Sequence, residues 1–319
     1  MYHYVRDLNN SRYPTIKGLD TALFRQQIDY LRDHFTIIRM EDLLMALEGD
    51  KLPDNAVLLT FDDGYIDHYV TVFPLLNKLG LQGSFFPPSN VLEKNVLLDV
   101  NKIHFILASA DAGDLYQELI TNINFYRGKE FDIPDTELLI DEYAKTTRFD
   151  SSEIVFIKQM LQTILPERLR EMISDKLFRR FVGIDEFVFA RELYCDVDQL
   201  ATMKEHGMYL GLHGHNHGWL GNMKKTEYEQ DIEHALDYMD SIRLVDKSAW
   251  VMNYPYGSWS DGVTDFISSK GCLIGLTTRV NIANLRTDNK LTLPRLDTND
   301  FPPKSENFKT FLTKGENYG

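Results

Sequence analysis

Hydrophobic and polar positions follow two different patterns along the chain. Before residue 90, short apolar runs alternate with longer segments whose apolar residues recur every three or four positions. The helical segments are LDTALFRQQIDYLRDHF, MEDLLMALEG and FPLLNKLG, and the strand-like runs are FTII, AVLLTF and QGSFFPP. The near-continuous apolar run AVLLTF is typical of a parallel strand that is covered on both faces. This alternation predicts a parallel α/β sheet or barrel.

The pattern becomes mostly helical from about residue 91 to residue 193, in segments such as DLYQELITNINFY and PERLREMISDKLFRRF. Strand–helix alternation returns after DVDQLATMKEHG, a predicted helix with Asp196 as N-cap and Gly207 at its end. The last predicted strands are CLIGLTT and LTLPRLD. We therefore predict a discontinuous α/β domain over 1–90 and 194–305, a helical insertion over 91–193, and a polar, partly disordered tail over 306–319.

Composition narrows the classes of partner. The net charge of the 319 residues is −14, which argues against a nucleic-acid or anionic-membrane partner because both need basic patches. No stretch approaches the roughly 18 apolar residues of a membrane span. There are only two cysteines, and the N-terminal segment lacks the apolar region of a signal peptide. These features lead us to expect a cytoplasmic protein without a membrane span.

The run VLLTFDDG ends a hydrophobic strand on two adjacent carboxylates, Asp62 and Asp63, followed by Gly64. Like charges repel, and a buried carboxylate is costly unless something pairs with it. Either both acids point into water before a turn, or they hold a cation and a proton. A second cluster of polar residues, farther along the chain, favours the cation.

Three of the nine histidines lie within five residues, in LGLHGHNHGWLG. His213 and His217 together with Asp63 make a three-ligand site that leaves positions for water, as in zinc hydrolases and other transition-metal sites. We expect His215 to point elsewhere, toward solvent or into a supporting position. A bound cation lowers the pKa of water to roughly 7, and Asp62, beside the cation but not bound to it, then accepts the proton of the water.

TFDDG with the following Asp67, and HGHNH, resemble the first two motifs of the polysaccharide deacetylases, carbohydrate esterase family 4. The resemblance implies a distorted (β/α) barrel whose site lies at the carboxyl ends of the strands. It also implies that Asp62 is the catalytic base. The implied ligands of a divalent metal, Zn²⁺ or alternatively Co²⁺ or Ni²⁺, are Asp63, His213 and His217.

The chain departs from the family pattern at two positions. Gly214 stands where the family has a serine or threonine that supports the histidine loop, so this support must come from elsewhere. NYPYGSW resembles the third motif, Arg-x-Pro-Tyr/Phe, which implies that the Tyr256 backbone N–H forms an oxyanion hole. However, Asn253 occupies the place of the arginine that holds the base. Arg295 is the replacement candidate; the alternative is a surface salt bridge between Arg295 and Asp297.

The late Leu-x-His motif of the family, which supplies the acid, has no match in this chain. MYHYV at the N-terminus resembles the rearranged deacetylases, in which a Tyr-His pair at the start of the chain provides this histidine. The resemblance implies that His3 protonates the leaving amine or alkoxide.

We therefore predict a metal-dependent deacetylase that removes an N-acetyl group from a sugar or glycan intermediate in surface polysaccharide biosynthesis. A cytoplasmic location favours a nucleotide- or lipid-linked sugar or a short glycan. One alternative is an amidase or O-acyl esterase with another small substrate. The other is a non-catalytic carbohydrate-binding barrel, which the missing arginine and Gly214 favour and which the intact Asp62 and metal ligands oppose.

Overall fold

The structure is a computed structural model that describes residues 1–147 and 150–315, with side chains as far as residue 312. The strands are β1 (Val5–Arg6), β2 (Leu19–Asp20), β3 (Thr36–Ile38), β4 (Ala56–Leu58), β5 (Thr60–Asp62), β6 (Ser84–Phe86), β7 (Tyr209–Leu210), β8 (Trp250–Asn253) and β9 (Cys272–Leu276). The helices are α1 (Thr21–His34), α2 (Met40–Glu48), α3 (Phe73–Leu79), α4 (Ser89–Lys94), α5 (Asp99–Ser109), α6 (Ala112–Tyr126), α7 (Thr136–Tyr143), α8 (Ser152–Gln159), α9 (Glu167–Phe181), α10 (Glu186–Leu193), α11 (Val197–Glu205), α12 (Lys225–Ser241), α13 (Asp261–Ser269) and α14 (Lys309–Gly315).

Every pairing between these strands is parallel. β5, β6 and β7 form a three-stranded sheet, and β1–β2, β3–β4 and β8–β9 form pairs. Single parallel bridges extend this arrangement between Tyr2 and Phe61, Leu212 and Met252, and Leu276 and Leu293. In the described part of the chain no continuous ladder of hydrogen bonds closes the ring. The predicted α/β fold with a distorted barrel is confirmed.

β5 lies in the core of this arrangement because its residues are apolar or paired. Phe61 is fully buried and stacks on Tyr2 and Phe85, with ring centroids 4.9 and 4.8 Å apart. The run AVLLTF, predicted as one strand, forms two: β4 pairs with β3, and β5 pairs with β6. The chain changes neighbours between them at Leu59, which apolar periodicity does not reveal.

The prediction of a strand over LTLPRLD is wrong. This segment forms a 3₁₀ turn at Lys290–Thr292 and a single bridge at Leu293. Pro294 follows directly and has no N–H to donate to a ladder. The segment therefore runs beside β9 without extending the sheet, and it carries Arg295 into the interior.

Helices α1 and α11 both begin after an aspartate N-cap. Asp196 accepts from the backbone N–H of Gln199 in a capping box at the start of α11, as predicted. α1 begins after Asp20, which accepts from Ala22 N, and buries Phe24 and Ile28 on its apolar face.

The chain divides into two compact units. One comprises Met1–Asp7, Gly18–Val96 and Ala190–Gly319, and the other comprises Leu8–Lys17 and Leu97–Phe189. The second unit is helical, like the insertion predicted over 91–193. It also contains Leu8–Lys17, which the sequence placed in the barrel, because Tyr13 packs edge-on against Phe105 at 4.9 Å.

Within the tail predicted over 306–319, Lys309–Gly315 forms helix α14, and residues 316–319 lie outside the described residues. The expectation of partial disorder stays a prediction. Among the helices that the structure describes, none has the length and apolar character needed to cross a membrane.

Candidate active site

The two adjacent acids lie at the carboxyl end of β5, where a sharp turn sends them in different directions. Asp62 is the last residue of the strand, and Asp63 and Gly64 follow with φ angles of 74° and 69°. A Cβ on Gly64 would lie 2.6 Å from Cβ of Pro87, so glycine is required for this close approach. Both acids are buried, and each has its own set of partners.

Asp62 is held by a buried arginine. Arg295, only 7% exposed, donates from Nη1 and Nη2 to the two carboxylate oxygens of Asp62, both at 2.8 Å. Asn253 Nδ2 donates to Asp62 Oδ1 at 2.6 Å, and Asn253 Oδ1 accepts from Arg295 Nη2 at 2.9 Å. The structure thus places Arg295 against the predicted base rather than at the surface beside Asp297. The residue in the place of the family arginine, Asn253, joins the same network.

The charge of Asp62 follows from this network. Burial raises the pKa of the Asp62 carboxyl, but the charge and the hydrogen bonds of Arg295 outweigh burial and hold this pKa well below its usual range. Asp62 is therefore ionised at neutral pH.

His3 lies beside Asp62 because the N-terminal segment pairs with β5. Tyr2 N donates to Thr60 O at 2.8 Å, and Asp62 N donates to Tyr2 O at 2.9 Å. His68 Nε2 lies 2.9 Å from the His3 carbonyl oxygen and fixes the backbone there. His3 Nε2 is 3.7 Å from Asp62 Oδ2, and its side chain is 41% exposed. The structure therefore brings together the predicted base and the predicted acid.

Asp63 faces the two outer histidines of HGHNH. Asp63 Oδ1 is 3.3 Å from His213 Nε2 and 3.1 Å from His217 Nε2. One ligand atom from each of the three side chains lies within 4.8 Å of the others, and all three residues are buried. Tyr65 Oη donates to Asp63 Oδ2 at 2.6 Å, and His213 Nδ1 donates to Asn253 O at 2.6 Å. These contacts orient Asp63 Oδ1 and His213 Nε2 toward each other.

This donor set fits a divalent transition metal. Asp63 Oδ1 is a buried atom without a hydrogen-bond partner among the described residues, so a cation would compensate it. Burial raises the pKa of Asp63, but the adjacent imidazoles of His213 and His217 hold it well below its usual range. Burial also lowers the pKa of His217. One carboxylate and two imidazoles are ligands that suit zinc and related metals.

The loop that carries the histidines is supported by an aspartate in place of the family hydroxyl. Asp231 on α12 accepts from the backbone N–H groups of His215 and Asn216 at 2.8 and 2.9 Å. Gly214 has φ of 68°, and a Cβ there would lie 2.9 Å from Asp231 Oδ1. The supporting carboxylate of Asp231 therefore lies close to the place of a Cβ at position 214, which favours glycine there.

Tyr256 lies beside the proposed ligands in a tight turn over Pro255–Gly257 with φ of 56°. Its ring is edge-on to His217 at 4.7 Å and stacks on Trp219 at 4.2 Å with an interplanar angle of 2°. Asp63, His217 and Tyr256 are three of the six non-glycine residues with positive φ in the described ranges. Such conformations are costly and concentrate at functional sites.

The structure brings all of the predicted site residues to one region, and it adds residues that the sequence analysis missed. Asp231 and Tyr65 were not singled out, and Asn253 was noted only as a departure from a motif. A signal for Asp231 was present, because it lies on the apolar face of its helix, three residues after the buried Tyr228. Nothing local in the sequence indicates the contact of Tyr65 with Asp63.

The carboxylates and imidazoles lie at the ends of strands in a parallel α/β barrel. This arrangement is typical of metal-dependent hydrolases, and the site is a candidate for that class. The model of the polysaccharide deacetylase family matches residues 129–273, a little under half of the chain. This range contains HGHNH and NYPYG but not TFDDG. This match confirms the resemblance to carbohydrate esterase family 4, whereas the N-terminal Tyr-His pair stays a prediction.

Two curated relatives and one solved structure are similar to this chain. YxkH of Bacillus subtilis, whose name assigns it to the same family, is 33% identical over 27% of this chain and 29% of its own length. The poly-β-1,6-N-acetyl-D-glucosamine N-deacetylase of Escherichia coli is 36% identical over 24% of this chain and 11% of its own length. These alignments span less than a third of either relative. The Streptococcus pyogenes deacetylase PplD, solved with acetate, shares the fold with a TM-score of 0.57 and 17% identity, covering 97% of this chain and 94% of PplD.

Proposed function

We propose that this protein is a metal-dependent deacetylase that removes the N-acetyl group from a sugar of a polysaccharide or glycan intermediate in surface polysaccharide biosynthesis. The family match supports the reaction class, and the Escherichia coli relative, named for its N-deacetylation of a polysaccharide, supports the kind of substrate.

One observation carries the proposal: two adjacent buried acids have separate partners. Asp62 is bound by Arg295, and Asp63 faces His213 and His217. A protein that only binds sugar has no need for an ionised carboxylate beside a set of metal ligands. This arrangement supports hydrolysis over the alternative of a non-catalytic binding barrel.

In the proposed site, Asp63, His213 and His217 would hold the divalent metal, which we propose is Zn²⁺, with Co²⁺ or Ni²⁺ as alternatives. Such an ion polarises a carbonyl and lowers the pKa of water.

Asp62 removes the proton of the attacking water, since Arg295 keeps this carboxylate ionised and fixed. His3 donates a proton to the leaving amine. The two groups lie 3.7 Å apart, close enough to serve the same acetamido group from one side of the site. In the proposal the Tyr256 N–H donates to the developing oxyanion.

The form of the substrate and the compartment stay predictions. A nucleotide- or lipid-linked sugar fits a cytoplasmic protein, and a polymer fits the substrate named for the Escherichia coli relative. Acetate release from a panel of substrates distinguishes these forms from the amidase and O-acyl esterase alternatives.

The experiment is acetate release from a matched panel: β-1,6-linked N-acetylglucosamine oligomers, a nucleotide-linked and a lipid-linked N-acetylglucosamine, an O-acetylated sugar and a simple acetamide. Each substrate is tested with Zn²⁺ or Co²⁺, after chelation, and after the metal is returned. We expect chelator-sensitive acetate release from at least one N-acetyl sugar. Release from the O-acetyl sugar or acetamide alone would reject the substrate class, and no release from any substrate would favour the binding barrel.

A further inference from the structure

A second cluster of metal-ligating side chains lies outside the proposed active site. Glu93 on α4, His215 of the HGHNH loop and His234 on α12 meet there. Glu93 Oε2 is 2.7 Å from His234 Nε2 and 3.9 Å from His215 Nε2, and the two imidazole rings have centroids 4.2 Å apart. One ligand atom from each residue lies within 4.8 Å of the others.

A hydrogen bond at Nδ1 fixes the orientation of the His215 ring. Its Nδ1 lies 2.8 Å from Oγ of Ser89, a fully buried residue. Metal-binding histidines are commonly oriented in this way by a partner on the second ring nitrogen. The hydrogen bond to Ser89 leaves His215 Nε2 on the side of Glu93.

Solvent reaches the cluster from one side. The side chains of Glu93 and His234 are 28% and 48% exposed, whereas His215 is buried. Water can therefore complete the coordination of an ion, and the ion can enter without opening the fold.

We propose that Glu93, His215 and His234 form a second site for a divalent transition metal, separate from that of Asp63, His213 and His217. Two imidazoles and one carboxylate are a donor set for zinc, cobalt or nickel. Metal–ligand distances of about 2.0–2.2 Å in a tetrahedral site separate neighbouring ligand atoms by about 3.3–3.6 Å. The present separations of 2.7 and 3.9 Å lie on either side of this range, so small side-chain rotations suffice.

An ion at this site would connect the three elements that hold the histidine loop. Ser89 N and Asn90 N, at the start of α4, donate to Gly214 O and His215 O at 3.1 and 3.2 Å. α12 supports the same loop through Asp231. A ligand that bridges α4, the loop and α12 would restrict the loop that carries His213 and His217. The second site would therefore act on the active site by holding its loop in place.

The test is a count of bound metal by equilibrium dialysis against Zn²⁺, and separately Co²⁺, with elemental analysis. The variants are His234→Ala, Glu93→Gln, Asp63→Asn, and His34→Ala as a control at another exposed helical histidine. We expect His234→Ala and Glu93→Gln each to bind one equivalent fewer than the wild type. His34→Ala should bind as many equivalents as the wild type, and Asp63→Asn should retain the equivalent that His234→Ala loses.

The proposal is overturned if His234→Ala and Glu93→Gln both bind as many equivalents as the wild type. Thermal melts of all variants in chelator show whether the fold is retained, and Glu93→Gln preserves the shape of the side chain should His234→Ala fail to fold. The comparison between the wild type and His234→Ala does not depend on the proposed active site. If Asp63 binds no metal, only the number of equivalents bound by Asp63→Asn differs from the expectation.

Discussion

Asp62 and Asp63 are neighbours in the sequence, yet different partners set their charge. Arg295 compensates Asp62, and two imidazoles face Asp63. The positive φ of Asp63 makes this separation possible, because an extended backbone would continue the strand into Gly64. The proposed mechanism therefore depends on a turn of two residues as much as on the acids themselves.

The first prediction concerns the counter-charge of Asp62. Arg295→Gln should lower the free energy of unfolding at neutral pH by about 3–5 kcal/mol, because it leaves a buried carboxylate without its partner. Chemical denaturation measures this change. Arg32→Gln, at an exposed arginine, should change it by less than about 0.5 kcal/mol.

A double variant separates charge from packing. Asp62→Asn combined with Arg295→Gln removes both charges and should recover a large part of the lost stability. If the double variant is as unstable as the sum of the two single variants, charge compensation is not the cause.

The second prediction restores the family-like hydroxyl at Gly214. Gly214→Ser should be destabilising by about 1–2 kcal/mol from backbone strain alone, and the added Cβ also meets Asp231 Oδ1 at 2.9 Å. It should therefore weaken Zn²⁺ binding and acetate release as well. Gly80→Ser is the matched control, since Gly80 has nearly the same φ, 67°, and open space around it. Equal effects of the two substitutions on stability and on metal binding would contradict the role of Asp231.

At the scale of elements, the turn after β5 fixes the N-terminal segment. His68 contacts the His3 carbonyl through Nε2, and Asp67 accepts from Val5 N at 3.2 Å and Arg6 Nε at 2.8 Å. Two adjacent residues, Asp67 and His68, therefore fix the backbone at His3, the proposed acid, and at Val5.

The third prediction is a pH dependence of stability that arises at His68. Burial lowers the pKa of this imidazole from 6.5 to about 4. The unfolded chain therefore binds the proton between these values and the folded chain does not. The contribution to stability is complete above pH 6.5 and is lost as the pH falls toward 4, by about 3 kcal/mol.

Denaturation curves between pH 4 and pH 7.5 measure this effect. His68→Gln, which retains a neutral donor for the His3 carbonyl, should lose less stability on acidification than the wild type. Identical acid profiles for the two proteins would show that His68 does not titrate as its burial implies.

The elements also show what sequence can and cannot predict. Apolar periodicity predicts most helices and strands, and the structure brings the motif residues at the strand ends to one region. The prediction of a strand over LTLPRLD is wrong because apolar content does not distinguish a strand from a segment that only contacts one. Asn253, Tyr65 and Asp231 reach the site through long-range contacts, and their partners cannot be read from local pattern.

At the scale of the whole molecule, parallel strands gather distant residues. Asp62 ends β5, His213 follows β7, Asn253 ends β8, and Arg295 lies beyond β9. In a parallel arrangement the carboxyl ends of successive strands meet at the same edge. Asp62 and Arg295, which are 233 positions apart, therefore belong to one network, and its stability should depend on the ion that we propose for the adjacent site.

The fourth prediction is that metal stabilises the fold. At a free Zn²⁺ concentration one hundred times the dissociation constant, the free energy of unfolding should rise by about 2.7 kcal/mol for each site of that affinity. Chelator should reverse the gain, and Asp63→Asn should show a smaller gain than the wild type. An unchanged gain in Asp63→Asn would place the stabilising ion elsewhere.

The most direct measurement of the central claim compares Asp62→Asn and Asp63→Asn for bound metal and for acetate release from an N-acetylated sugar substrate. We expect Asp62→Asn to keep the metal content of the wild type and to lose acetate release by at least about 10²-fold. Asp63→Asn should lose one metal equivalent together with the activity. Full activity in Asp62→Asn, or full metal content in Asp63→Asn, would contradict the division of labour between the two acids.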